Sequence, residues 1–268
     1  MRIKSIEDIL PVIDDIQRNL GLNGRQDFIE NYRGQSLDTY KLVNGFSRFN
    51  HKPNNLMTKE RKLFDKYVSQ VKNHKIDFIQ EPYHQQQYEF IREWFFLYQA
   101  QHLGLKTRLM DWTMRWEIAL LFAVNEERHH RKDGQFWIFI CPRKYNINSG
   151  NLDDIYNKHP LEIDKNYMIN SPFYQDIEEG EYIGEKRRTR QHGRFFIQPF
   201  FKGLVPMEEQ PELKLYLHKY IIDGNSKKRI REELGNITSE WAYYRHDDNV
   251  SLKIKYLNDL VIKKCRVK

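Results

Sequence analysis

Residues 99–124 read QAQHLGLKTRLMDWTMRWEIALLFAV, and this stretch constrains the chain more than any other. It sets histidine, threonine, arginine, aspartate and tryptophan side chains close together, then runs without a break into an apolar segment. KTRLMDW reads as a strand or extended segment. Alternate side chains of extended backbone share a face, so Thr107, Leu109, Asp111 and Thr113 are expected to point one way and Arg108, Met110 and Trp112 the other. Two hydroxyls and a carboxylate on one face make a poor core and a good ligand-facing wall. Asp111 or Thr113 serves equally well as a cap for the helix that follows. MRWEIALLFAVNEERHH then reads as a buried helix, because Ile118, Ala119, Leu121, Phe122 and Ala123 fall together at helical spacing. Glu117 in its first turn and Arg128, His129 and His130 at its end match the helix dipole.

The remaining elements define a fold class. Ser5 opens a helix over 5–20 with an S-x-x-D capping pattern and Ile6, Ile9, Leu10 and Ile13 on one stripe; Pro11 falls near its first turns, where it can kink the helix. QDFIENYRGQSL reads as a strand running into a turn at Gly34, and KLVNGFSRF as a short polar connection. Helices are expected over 58–73 and 85–102. DGQFWIFICP is the best strand in the chain, dense in aromatic and β-branched residues, opened by Asp133-Gly134 and stopped by Pro142. Residues 143–181, rich in Asn, Asp and Pro, read as a long connection with short elements. RFFIQPF gives another strand, ELKLYLHKYII one or two more, and SKKRIREELGNI a helix closed by Gly235. Strands and helices do not alternate strictly, which gives an α+β domain spanning 1–268 with a helical, basic tail over 226–268.

Charge and cysteine usage narrow the partners. A net charge of +7 favours polyanions such as nucleic acid or nucleotide phosphates. The basic residues cluster in EKRRTRQHGR, in SKKRIREE and in the tail, and solvated faces explain such runs as readily as a nucleic-acid surface does. No run of about 18 apolar residues offers a membrane span. The amino-terminal segment lacks the apolar block of a signal peptide, and two cysteines make neither a disulfide framework nor a Cys-rich zinc site. A cytoplasmic protein is expected. No metal site is expected either, because His102 and Asp111 lack a further ligand at local spacing. No G-x-S-x-G marks a hydrolase nucleophile.

Two more constellations bear hydrogen-bonding chemistry. In Tyr32-Arg33-Gly34-Gln35 an arginine leaves a strand beside a glycine, so its planar fork can enter a cleft while backbone or ligand approaches closely. A structural ion pair beside a turn glycine is the plainer alternative. In Arg187-Arg188-x-Arg190-Gln191-x-Gly193-x-Phe195 a basic run enters an aromatic strand, and Gln191 offers an amide that donates and accepts without charge.

Tyr32-Arg33-Gly34, the motif around AQHLGLKTRLMDWT with its ALLFA helix, and Arg190-Gln191-x-Gly193-x-Phe195 occur in an order that resembles the FRG domain family. The matching segments spread over 29–196; KLVNGFSRF departs from the proline-serine pair usual there and leaves Ser47 without an implied role. The same order is also similar to the ADP-ribosyltransferase fold, which implies a mixed or antiparallel split sheet flanked by helices and NAD as the ligand. On that resemblance Tyr32, Arg33, Gly34, Gln35, Thr107, Arg108 and Trp112 hold the nucleotide. Arg33, His102, Asp111, Thr113 and Gln191 stand at the chemistry. Gln191 occupies the position of the fold's glutamate, so Asp111 or Glu185 must supply the carboxylate. Cleaving the glycosidic bond of NAD passes through an oxocarbenium-like state that needs negative charge near the ribose and a grip on the pyrophosphate. The activity implied is ADP-ribosyl transfer or NAD hydrolysis, which suits a toxin or phage-defence system. The reading from another class is a non-enzymatic nucleotide or nucleic-acid module whose basic tail holds phosphates.

Overall fold

The computed structural model of the protein describes residues 1–19, 28–48, 53–73, 88–102, 105–147, 151–170 and 193–242. Strand β1 (Arg2–Ile3) leads into helix α1 (Ile9–Asn19) through a 3-10 turn, where the expected capping box forms between Ser5 and Asp8. Strand β2 (Phe28–Gln35), helices α2 (Pro53–Asn73) and α3 (Ile91–His102), strand β3 (Met110–Thr113) and helix α4 (Trp116–Val124) follow. Then come β4 (Gly134–Pro142), β5 (Asn146–Ile147), α5 (Asp153–Tyr156), β6 (Tyr167–Asn170) and β7 (Gly193–Ile197). The single turns α6 (Phe200–Gly203) and α7 (Pro211–Lys214), strand β8 (Leu217–Ile222) and helix α8 (Lys227–Ala242) complete the described order.

All eight strands form one mixed sheet in the order β1-β8-β4-β2-β3-β7-β6-β5, parallel only at its two ends and antiparallel between. An α+β architecture with helices packed on a mixed sheet is therefore what the chain adopts. β4 pairs with β2 along the whole of that strand, from Phe28 opposite Pro142 to Gln35 opposite Gln135. Every residue of β4 is buried, as its unbroken apolar run requires of a strand covered on both faces. β3 pairs with β7 from Met110 to Thr113. Between β2 and β3 the register consists of one pair, Tyr32 opposite Thr113. The sheet is thus two half-sheets, β1-β8-β4-β2 and β3-β7-β6-β5, joined at a narrow seam.

Alternation sorts the core by face. On one face Tyr32, Phe136, Ile138 and Ile140 pack with Ala119, Leu120, Ala123 and Val124 of α4 and with α1 and α8. The neighbouring part of that face carries Phe195, Ile197, Tyr167 and Ile169 against Trp94, Leu97 and Tyr98 of α3. On the opposite face Trp137, Phe139, Cys141, Trp112, Met110 and Phe196 pack under Leu42, Met207 and Leu213. Burial raises the Cys141 thiol to about 12, so it is an inert core group and no nucleophile.

Three sequence expectations need correction. Helix α4 ends at Val124, with Asn125 as its C-cap, and Arg128 and His129 lie in a separate 3-10 turn rather than at its terminus. Gly235 does not close α8, which runs on to Ala242; a Cβ there would meet nothing within 4 Å, so the helix tolerates it. The 143–170 part of the supposed connection contributes β5, α5 and β6, two of whose strands complete the sheet.

Candidate functional site

Arg33 lies at the seam. Its neighbours in β2 alternate across the sheet, Tyr32 and Gly34 toward α4 and Asn31, Arg33 and Gln35 toward the opposite face. Because β2 and β3 separate beyond Tyr32 and Thr113, the Arg33 guanidinium crosses the gap and donates to the main-chain carbonyl of Asp111. It is half-buried, and no carboxylate is ion-paired with it among the described residues. Burial lowers its pKa, the charge of Asp111 partly restores it, and the nearby charge of Arg48 lowers it again. Its Nε is covered and has no acceptor among the described residues.

The carboxylate of Asp111 is exposed, and Gln101 of α3 donates to its Oδ2 at 2.9 Å. Thr107 in turn donates to Gln101 Oε1 at 2.7 Å and accepts from the Leu109 amide at 3.1 Å. Thr107, Gln101 and Asp111 form one chain of hydrogen bonds that fixes the acid beside the seam. Sequence reasoning missed Gln101 and Arg48. The first stands inside the AQH motif, where its role depends on α3 packing against β3. The second sits in a loop without periodicity.

Other residues singled out from the sequence are placed elsewhere. Arg108 is buried: its Nε meets Glu60 Oε1 at 2.6 Å, and NH1 and NH2 donate at 3.3 Å to the carbonyls of Gln198 and Pro160. The strand starts at Met110, so the expected alternation holds only over Met110–Thr113 and Arg108 stands before it. Trp112 is 2% exposed and packs on Phe139 with ring centroids 5.3 Å apart, in the core rather than over a cleft. The Thr113 hydroxyl accepts from the Arg115 amide at 3.0 Å in the turn between β3 and α4; Arg115 is the N-cap residue of α4, so the expected cap from Thr113 does not form. Tyr32 donates to Glu30 at 2.5 Å and stacks on Phe136, on the side of the sheet away from Arg33. Gln35 accepts from Gln135 Nε2 at 2.7 Å as a buried crosslink. Gly34 is required by backbone rather than ligand, since a Cβ there would stand 1.7 Å from the Ala119 carbonyl oxygen of α4. The side chain of His102, together with Gln191 and the basic run before it, lies outside the described residues.

Three buried donors on the Arg33 face have no acceptor among the described residues: Arg33 Nε, Trp112 Nε1 and Trp137 Nε1, with Trp137 directly opposite Arg33 in the register. The two tryptophan donors lie in the core, whereas that of Arg33 stands at the seam, where an acceptor would offset the cost of about 1–3 kcal/mol that a buried unpaired donor carries. Among the described residues no group of three or more His, Cys, Asp or Glu side chains is placed to hold a metal ion. No described helix is long and apolar enough to cross a membrane.

Residues 30–132 match the family model of the FRG domain. The chain carries an FRG domain. No curated protein and no solved structure matches the chain. The matched FRG span includes Arg33, Arg48, Gln101 and Asp111, so both sides of the seam fall within it. It stops just before β4, the strand that holds β2 in place along its length. The seam of the FRG domain is therefore supported by structure contributed from beyond its carboxyl-terminal boundary.

Proposed function

We propose that this FRG domain binds a nucleotide at the β2–β3 seam and acts on NAD. The observation that carries the reading is the Arg33 guanidinium: half-buried and, among the described residues, without a carboxylate partner and with its Nε unmatched. Arginine forks suit phosphate oxygens, and a cation already desolvated binds an anion more strongly than one in water. The fork therefore fits the anionic part of a dinucleotide. A sheet split at one residue pair supports a fold of the ADP-ribosyltransferase kind, in which the ligand lies along the split.

NAD supplies an ADP-ribosyl group with nicotinamide as the leaving group. On the protein side, Arg33 holds the phosphates. Asp111, fixed by Gln101 and Thr107 on the α3 side of the seam, brings negative charge within electrostatic range of Arg33. A carboxylate held by a neutral amide stays available to stabilise positive charge, which the same carboxylate locked to a guanidinium would not. Arg108 takes no part, because Glu60 and two carbonyls occupy it inside the fold.

Titration with NAD, read both as binding and as nicotinamide release, tests the proposal. Arg33→Ala is expected to weaken binding about 10–100-fold, the equivalent of a charge-assisted hydrogen bond of about 1.5–3 kcal/mol. Asp111→Asn is expected to retain binding and lose turnover. Binding without release in the wild type would reduce the reading to a nucleotide-binding module. Neither binding nor release would remove it, and would turn attention to nucleic acid held by the basic tail, with a steep salt dependence as its signature.

A further inference from the structure

Among the described residues a second cation near Arg33 also lacks an ion pair. The segment after β2 crosses from one side of the sheet to the other, since Leu42 is buried with Trp137 and Phe139 while Phe46 is buried with Trp94 and Tyr98. It ends in a 3-10 turn, Phe46–Arg48, that is pinned from several directions. The Phe46 amide donates to the Thr107 carbonyl at 3.0 Å, immediately before β3. Ser47 donates to the Gly203 carbonyl at 2.6 Å, and Asn44 donates to the same carbonyl at 2.9 Å. The Ser47 amide closes the turn on Asn44 Oδ1 at 2.8 Å. Arg48 thus follows a turn fixed to the segment that leads into β3, the strand whose Asp111 carbonyl Arg33 contacts.

Arg48 is exposed and has no ion pair among the described residues, and its charge is near enough to Arg33 to disfavour the second guanidinium. A second positive charge within range of Arg33 disfavours its charged form, and an anion would offset that. Asp111, the acid within range of Arg33, is tied to Gln101. The arrangement is one that an anion with two adjacent charged groups would relieve.

We infer that Arg33 and Arg48 form a two-armed clamp for a diphosphate, one guanidinium from the sheet and one from the Phe46–Arg48 turn. The inference rests on the nucleotide reading of the seam and makes it specific: the diphosphate bridge, rather than a base or a single phosphate, is the group recognised. Arg33 approaches from the half-buried side and sets the position; Arg48 approaches from solvent and completes the neutralisation. A single phosphate would engage the first arm and leave the second with little to do.

The test is isothermal titration of the full chain with inorganic pyrophosphate, inorganic phosphate and NAD, at one fixed salt concentration. Wild type, Arg48→Ala, Arg48→Lys, Arg33→Ala and a distant control, Lys228→Ala, are compared, each checked by thermal melting for an intact fold. The wild type is expected to prefer pyrophosphate to phosphate about tenfold. Arg48→Ala should lower pyrophosphate affinity about tenfold and erase that preference, Arg48→Lys should recover part of it, and Lys228→Ala should change nothing. Unaltered pyrophosphate binding in Arg48→Ala, or an equal loss in Lys228→Ala, overturns the clamp. NAD binding that needs Arg33 and ignores Arg48 also overturns the clamp and leaves the nucleotide reading standing. Pyrophosphate held by both arginines while NAD is not bound upholds the clamp and overturns the NAD reading. Binding of none of the three ligands overturns both.

Discussion

The Arg108 guanidinium lies in the interior with Glu60, at 2% and 6% side-chain exposure, while Arg33 keeps its fork at a gap between strands. The two arginines demand different experiments. Removing Arg108 leaves a carboxylate buried without its partner, so Arg108→Ala is expected to lose about 3–5 kcal/mol in urea denaturation at neutral pH. Replacing both, as Arg108→Met with Glu60→Leu, should recover most of that loss. Burial already raises the Glu60 pKa above its ordinary 4.5, with Arg108 opposing the rise. A carboxyl whose folded pKa is raised binds more protons folded than unfolded, so stability falls as pH rises above 4.5. Without Arg108 the folded value rises further. The penalty of Arg108→Ala should therefore be small near pH 4 and grow toward neutrality; a penalty independent of pH would contradict the buried-pair assignment. The sequence shows both arginines beside polar neighbours and cannot separate them, because Glu60 lies far along the chain and meets Arg108 only when α2 packs against the segment before β3.

Gly34 and α4 illustrate how one element depends on another. The strand approaches the helix so closely that a methyl group at Gly34 would overlap the Ala119 backbone, with Ala123 also within 3 Å. Backbone cannot rotate aside as a flexible side chain can. Gly34→Ala is expected to destabilise the protein by about 3 kcal/mol or more, seen as a lower melting temperature by circular dichroism. Loss of ligand binding with an unchanged melt would instead show that the glycine faces the ligand. Long elements with one dominant pattern were legible from sequence: the β4 run, the start of α4, the capping box before α1. β5 and β6 were not, having two and four residues and little pattern of their own. Their pairing with each other and with β7 makes them strands. The end of α4 was missed because Arg128 and His129 suit a helix terminus on charge alone, although the backbone has already turned at Asn125.

For the molecule as a whole, the unequal joints within the sheet lead to a dynamic expectation. β2 is paired with β4 along its full length and with β3 at one residue pair. Amide hydrogen exchange should therefore be slow through β4 and faster at the edge of β3 that faces β2. A nucleotide or pyrophosphate bound across the gap should slow exchange at residues 33–36 and 110–113 more than in β4. Uniform slowing throughout the sheet would place the ligand elsewhere. The α+β class and the placement of Arg33 and Asp111 on extended segments could be read from the chain, because strand pattern and motif are local. The seam could not, since it exists only where two distant strands meet and then diverge. Its narrowness also has a mechanical meaning: a small tilt between the half-sheets would break one backbone pairing instead of a whole ladder, so the shared layer of Trp112, Trp137, Phe139 and Phe196 and the Arg33 contact across the gap take up the load that strand pairing carries elsewhere.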